Sequence, residues 1–192
     1  TMPEPEYVDL GLSVKWATFN VGATSPEDYG DYFAWGETEP KETYSWATYK
    51  WGTSSNLTKY NTTDGKTTLE PADDAAQVHW GGKWRMPTKA ECQELIDSCT
   101  WEWTTYNGVE GYMVTSKISG YTNKGIFLPV TGSKEGAKYE NLTYGYYWSS
   151  SLVEYYYPDV AHNIEFGTSY VYVSAGGCFR FIGMPVRPVC LP

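Results

Sequence analysis

The segment Gly81-Gly82-Lys83-Trp84-Arg85-Met86-Pro87-Thr88-Lys89-Ala90-Glu91 leaves the backbone few choices. Two glycines open a tight turn, and Lys83-Trp84-Arg85 reads as a short strand. Pro87 fixes its own φ and holds Met86 extended. Thr88 is then an N-cap, with Glu91 three residues on to close a capping box and place negative charge in the first helical turn. The helix is expected from Thr88 to Cys99, with Ala90, Leu95, Ile96 and Cys99 as its apolar stripe.

Around this unit the chain changes character. Val14 to Phe19 alternates apolar and polar residues and reads as an early strand. Residues 38 to 72 are rich in Thr, Ser, Asn, Lys and aromatics without a sustained period, a long loop region with room for small strands. Asp73 to Val78 reads as a short helix. From Trp101 onward the pattern is β: Thr100–Thr104, an Asn107-Gly108 turn, Tyr112–Ser116, Gly125–Pro129, His162–Phe166, Tyr170–Val173 and Pro185–Val189. The expected class is α+β, short helices early and then an antiparallel sheet with long loops. At 192 residues the chain is most simply a single domain, 1–192, with residues 1–6 an N-terminal tail or expression remnant.

Aromatic residues make up 17% of the chain, 18 of them Tyr and 9 Trp, which fits a β-rich core and also an adhesive surface. Net charge is −9 without any Lys/Arg cluster, which argues against nucleic acid and against an anionic membrane surface. No run of 18 apolar residues marks a membrane span, and no signal peptide is visible. Cys92, Cys99, Cys178 and Cys190 form no C-x-x-C, and with two His they argue against zinc. Cys92 and Cys99, seven apart on one helix, would be separated by about 10 Å, too far for a disulfide. Pairing elsewhere and a buried thiol at Cys92 both remain open. No metal or cofactor is expected.

Trp84-Arg85-Met86-Pro87-Thr88 followed by a helix resembles the signature of a bacterial branch of the C-type-lectin-like fold, the Fibrobacter and Bacteroides major paralogous domain family. Further segments carry the same resemblance: Val8–Thr18, Asn20–Ala23, Pro26–Glu37, Asp73–Ala76, Ile126–Pro129, Tyr147–Ser150 and Pro185–Val189. They extend from about Tyr7 to Cys190. The resemblance implies a C-type-lectin-like domain, secreted or displayed on the surface of a Bacteroides-like bacterium, with Trp16, Trp35, Trp84 and Trp148 in its core.

A binding surface is expected in the last third. Period two puts Tyr170 and Tyr172 on one face of a strand and Val171 and Val173 on the other. Three consecutive tyrosines, Tyr155 to Tyr157, cannot all be buried on one side of a loop. Exposed tyrosine resembles a paratope, with large area, two χ angles and a hydrogen-bonding tip. Tyr147 to Val189 also resembles the variable region of proteins altered by diversity-generating retroelements, which implies framework at Trp148–Ser150 and Pro185–Val189. The candidate ligand-binding residues are Leu152, Val153, Tyr155, Tyr156, Tyr157, Asp159, Asn163, Glu165, Tyr170, Tyr172, Phe179 and Phe181. The expected partner is a protein or glycan ligand.

Calcium-dependent sugar binding is disfavoured, because the Glu-Pro-Asn and Trp-Asn-Asp motifs are absent and the pairs Asp73-Asp74 and Glu27-Asp28 read as solvated charge or helix caps. Formylglycine-generating enzymes carry a related Trp-Arg-Leu-Pro-Thr segment and use a reactive cysteine pair, but no Cys here has a His or Lys nearby in sequence to lower its pKa. His79 and His162 lack a Ser/Asp partner at a recognisable spacing. No enzymatic activity is expected. Three classes of role follow: a ligand-binding module, a structural domain of a surface or pilus assembly without its own ligand, and a degenerate formylglycine-type enzyme.

Overall fold

A computed structural model describes residues 5–154 and 156–192. In chain order the elements are β1 (Tyr7–Val8), β2 (Lys15–Ala17), β3 (Gly52–Thr53), β4 (Asn56–Leu57), α1 (Ala75–Trp80), β5 (Trp84–Arg85), α2 (Lys89–Asp97), β6 (Cys99–Tyr106), β7 (Val109–Ser116), β8 (Gly125–Pro129), β9 (Ser133–Glu135), β10 (Lys138–Glu140), β11 (Gly145–Glu154), β12 (Tyr157–Gly167), β13 (Tyr170–Val173), β14 (Cys178–Phe179) and β15 (Val189–Cys190). Single 3₁₀ turns at Trp46–Thr48 and Pro71–Asp73 punctuate the long middle loop. The strands form small antiparallel sheets, and strand outweighs helix, 39% to 11%, so the class is α+β or mainly β.

The start, middle and end of the chain meet in one sheet, β1-β2-β15-β5, where Val189 lies opposite both Trp16 and Arg85. A second sheet, β6-β7-β8, begins with a hairpin whose Asn107 and Gly108 take φ of 47° and 81°. Two consecutive positive φ values make a tight turn that matches strand twist, and Asn-Gly tolerates them. The third sheet orders β11-β12-β13, with β14 continuing the β13 edge of β12.

Each face of this third sheet packs against a core over part of its length. Tyr147, Ile164, Phe166 and Val173 face a core shared with Cys92 and Leu95 of α2 and with Tyr112 and Val114 of β7. Trp148, Leu152 and Ala161 face a second core with Phe33, Trp35, Met184 and Val186. Trp148 is 0% exposed, and its indole N–H donates to the Phe33 carbonyl at 2.8 Å, fastening the sheet to the N-terminal half.

The segment around Pro87 is a hub. Thr88 Oγ1 accepts from the Glu91 N–H at 3.2 Å while Glu91 Oε1 accepts from the Thr88 N–H at 2.8 Å, closing the capping box. Arg85 grips the same carboxylate with both terminal nitrogens, at 2.7 and 2.6 Å. Burial opposes its ionisation, but the Arg85 guanidinium and the Thr88 N–H hold the Glu91 carboxyl below the usual range. The Pro87 carbonyl accepts from the Ser150 N–H at 2.8 Å, which ties the hub to β11.

Several expectations need correction. The helix ends at Asp97 and Cys99 begins β6, so Cys92 and Leu95 form the buried stripe and Ala90 is exposed. The helical spacing argument for Cys92 and Cys99 therefore lapses; all four cysteines are free thiols. Trp84 is only half-buried, edge-on to Trp80, whereas Trp16 and Trp35 join Trp148 in the interior. Of the two roles expected for Asp73-Asp74, helix capping holds for Asp74 and solvated charge holds for neither, since both are buried. Asp74 caps α1 through Gln77 and holds the Met86 N–H at 2.8 Å, and Asp73 takes Lys59 and the Tyr60 hydroxyl. Of Pro185–Val189 only Val189 is strand; the rest is buried irregular backbone.

Candidate ligand-binding face

β11 and β12 form the longest hairpin, closing where Glu154 pairs with Tyr157. Tyr156 and Tyr157 at this tip are 67% and 64% exposed. Tyr155 lies outside the described residues. Register shifts between Trp148 and Leu152, and again before Glu154, bulge β11 and turn its end away from the core.

Two clefts flank the tip. One, of about 650 Å³, has Tyr156, Val153 and Glu154 on its hairpin side and Thr67, Thr88 and Lys89 on the other. The β11 bulge brings Ser151 opposite Thr68, and the Lys89 N–H donates to Ser151 Oγ at 3.0 Å, so this cleft sits where α2 begins. Leu152 and His162 form its floor. The second, of about 400 Å³, is lined by Val153, Glu154, Tyr157, Asp159 and Val160 with the turn at Ala175-Gly176.

His162 is buried, and its Nδ1 donates to the Ser174 carbonyl at 2.7 Å, since a carbonyl can only accept. Burial, partly offset by that bond, lowers its pKa from the ordinary histidine value and keeps the imidazole neutral.

Further along the same sheet lies a tyrosine ladder. Tyr146, Glu165 and Tyr172 occupy one row across β11, β12 and β13. Beyond it Gly167 pairs with Tyr170, with Tyr144 just before β11 beside them: a Cβ on Gly167 would come within 2.7 Å of the Tyr170 ring and 3.3 Å of Tyr144. Tyr170 stacks on Tyr172 at 5.5 Å and tilts against Tyr144 at 6.2 Å. Tyr172 is 43% exposed, Tyr144 is exposed, and Tyr170 and Glu165 are half-exposed. Desolvation and a hydrogen bond to Glu165 push the Tyr172 phenol up to about 12.

Not every expected site residue faces solvent. Leu152 is buried because the bulge turns it onto the second core. Asn163 is fully buried and locked to Ser174: its N–H donates to Ser174 Oγ at 3.2 Å and its Oδ1 accepts from that hydroxyl. Phe181 is buried under Trp46, with Phe179, 46% exposed, stacked over it at 5.9 Å. Asn163 and Phe181 are thus withdrawn from the accessible face, and Leu152 remains only as cleft floor. Val153, Asp159, Glu165 and Tyr170 are half-exposed.

Sequence reasoning missed Tyr144 and Tyr146, although their period-two spacing with Tyr147 turned inward would have placed them beside Tyr170 and Tyr172. Thr67, Thr68, Thr88 and Lys89 reach the cleft through long-range packing that no local pattern carries. Among the described residues no group of three His, Cys, Asp or Glu could hold a metal ion, and no helix is long and apolar enough to cross a membrane. No family model, curated protein or solved structure matches the chain.

Proposed function

We propose that this chain is a ligand-binding domain of C-type-lectin-like fold, displayed outside a bacterial cell, which recognises a protein or glycan through the aromatic end of its β11–β14 sheet. The observation that carries this reading is the placement of Tyr156 and Tyr157, each about two-thirds exposed, between two clefts. Rigid aromatic area next to a concave surface is the usual makeup of a recognition site. The supporting structure is stiff where the face is exposed: Trp148, Asn163 and the Pro87 hub hold the hairpin from below. Diversification of the exposed positions by a retroelement belongs to the same proposal, since the framework residues are buried and Tyr156, Tyr157, Tyr172 and Phe179 are not.

A formylglycine-type activity fits the thiols poorly. Burial pushes Cys99 up to about 11 and Cys178 up to about 12, and Cys92 higher still, so none is a ready thiolate. The proposal is tested by screening glycans and surface proteins for binding, then repeating any hit in EDTA and with Tyr156→Ala/Tyr157→Ala. Binding that survives EDTA and fails in the double variant supports it. Binding lost in EDTA and kept by the variant overturns it, and a screen without hits favours a purely structural domain.

A further inference from the structure

Several aromatic clusters in this molecule come with their own cation. The Arg180 guanidinium lies over Trp35, Tyr49 and Tyr60 at 5.0 to 5.8 Å. Lys59 lies over Trp51 and Tyr60, and Lys134 over Tyr32 and Tyr139. The ladder of Tyr144, Tyr146, Tyr170 and Tyr172 differs. Among the described residues no Lys or Arg lies over any of its rings, and Glu165 in its middle forms no ion pair. The charges that act on Tyr146, Tyr170 and Tyr172 come from Glu165 and from neighbouring phenols or Cys178, all of which penalise a further negative charge.

We infer that the tyrosine ladder around Glu165 is a docking surface for an arginine side chain of a protein partner, whose guanidinium stacks on the exposed Tyr172 ring and pairs with the Glu165 carboxylate. The inference names the chemistry of one part of the proposed binding face and rests on that face being used. Three features favour a guanidinium over other cations. Its plane matches a tyrosine ring, its fork matches a carboxylate, and it sheds water more readily than an ammonium. The net charge of −9 supplies long-range attraction for a basic partner. Gly167 allows the arrangement, because a side chain there would overlap the Tyr170 ring and crowd Tyr144.

The test is an NMR titration of the whole chain with a short arginine-containing peptide, with lysine and with citrulline versions beside it. Citrulline keeps the shape of arginine without its charge. Saturable shifts at Tyr170 and Tyr172 with the arginine peptide, weakened about tenfold by Glu165→Gln and absent with citrulline, are expected. The variant's melting temperature should match the parent's, since Glu165 is half-exposed. No saturable shift up to tens of millimolar, equal shifts with citrulline, or unchanged affinity in Glu165→Gln would overturn the site. Equal affinity for the lysine peptide would overturn the assignment to arginine. Shifts confined to the clefts beside Tyr156 and Tyr157 would remove the cation site while leaving the proposed binding face standing.

Discussion

Replacing Trp148 by alanine should separate framework from face. Trp148 is completely buried, and a large-to-small change of this kind costs about 3–5 kcal/mol. Its indole N–H also donates to the Phe33 carbonyl, and losing that bond, on the order of 1 kcal/mol, is already part of that cost. The carbonyl is not orphaned, because the Met184 N–H bonds to it at 3.0 Å, so no further desolvation penalty follows. The total, about 4 kcal/mol, is a large fraction of the roughly 5–15 kcal/mol that stabilises a domain. With a urea m-value of about 2 kcal/mol/M the midpoint should fall by about 2 M. Tyr156→Ala, at an exposed position, should stay within about 0.5 kcal/mol, or roughly 0.25 M on the same scale. Urea melts followed by tryptophan fluorescence and circular dichroism together would measure both. If Tyr156→Ala shifts the midpoint as far as Trp148→Ala, the tip tyrosine is structural and the division of the hairpin into support and surface fails.

Thr88→Ala removes the acceptor of the capping box and should cost about 1 kcal/mol in the same melts; an unchanged midpoint would contradict the cap. Burial raises the pKa of Tyr32, Tyr49, Tyr60, Tyr146 and Tyr147 above the unfolded value near 10, so their contribution is intact below about pH 10 and is lost as pH rises further. Tyrosinate absorbance should therefore rise in a cooperative step with unfolding, and smooth titration of every tyrosine near pH 10 with the fold intact would refute this. Burial lowers the His162 pKa below its unfolded value of about 6.5, so its contribution is present above that pH and lost as pH falls. Stability should drop less between pH 7 and pH 5 in His162→Gln than in the parent, and identical slopes would remove His162 from the account.

What the sequence made legible was local. The capping box at Thr88 and Glu91, the Asn107-Gly108 turn and the Tyr170–Val173 strand each depend on residues a few positions apart, and each is present. The misplacements arise from distance or from irregularity. Asp73-Asp74 read as solvated charge or helix caps; Asp74 does cap α1, but both are buried because Lys59, Tyr60 and Met86 arrive from elsewhere to bond them. Leu152 was expected on the face from the resemblance to a variable region, but the β11 bulge after Trp148 turns it onto the second core. Phe181 lies just past β14 and folds under Phe179, which no period-two reading of the segment anticipates. The tip tyrosines were legible as surface because three in a row cannot share one buried side, whereas the clefts beside them depend on Thr67 and Lys89 from other parts of the chain.

The most direct test of the binding face is a tyrosine-nitration footprint, read residue by residue by mass spectrometry, with and without the ligand a screen identifies. Without ligand, Tyr156, Tyr157 and Tyr172 should react and Tyr60 and Tyr147 should not, following their exposure. With ligand, the tip tyrosines should become protected while exposed Tyr7, far from the face in sequence and paired within the β1–β2 sheet, stays reactive. Protection at Tyr7 with Tyr156 and Tyr157 still fully reactive would place the ligand elsewhere and contradict the account.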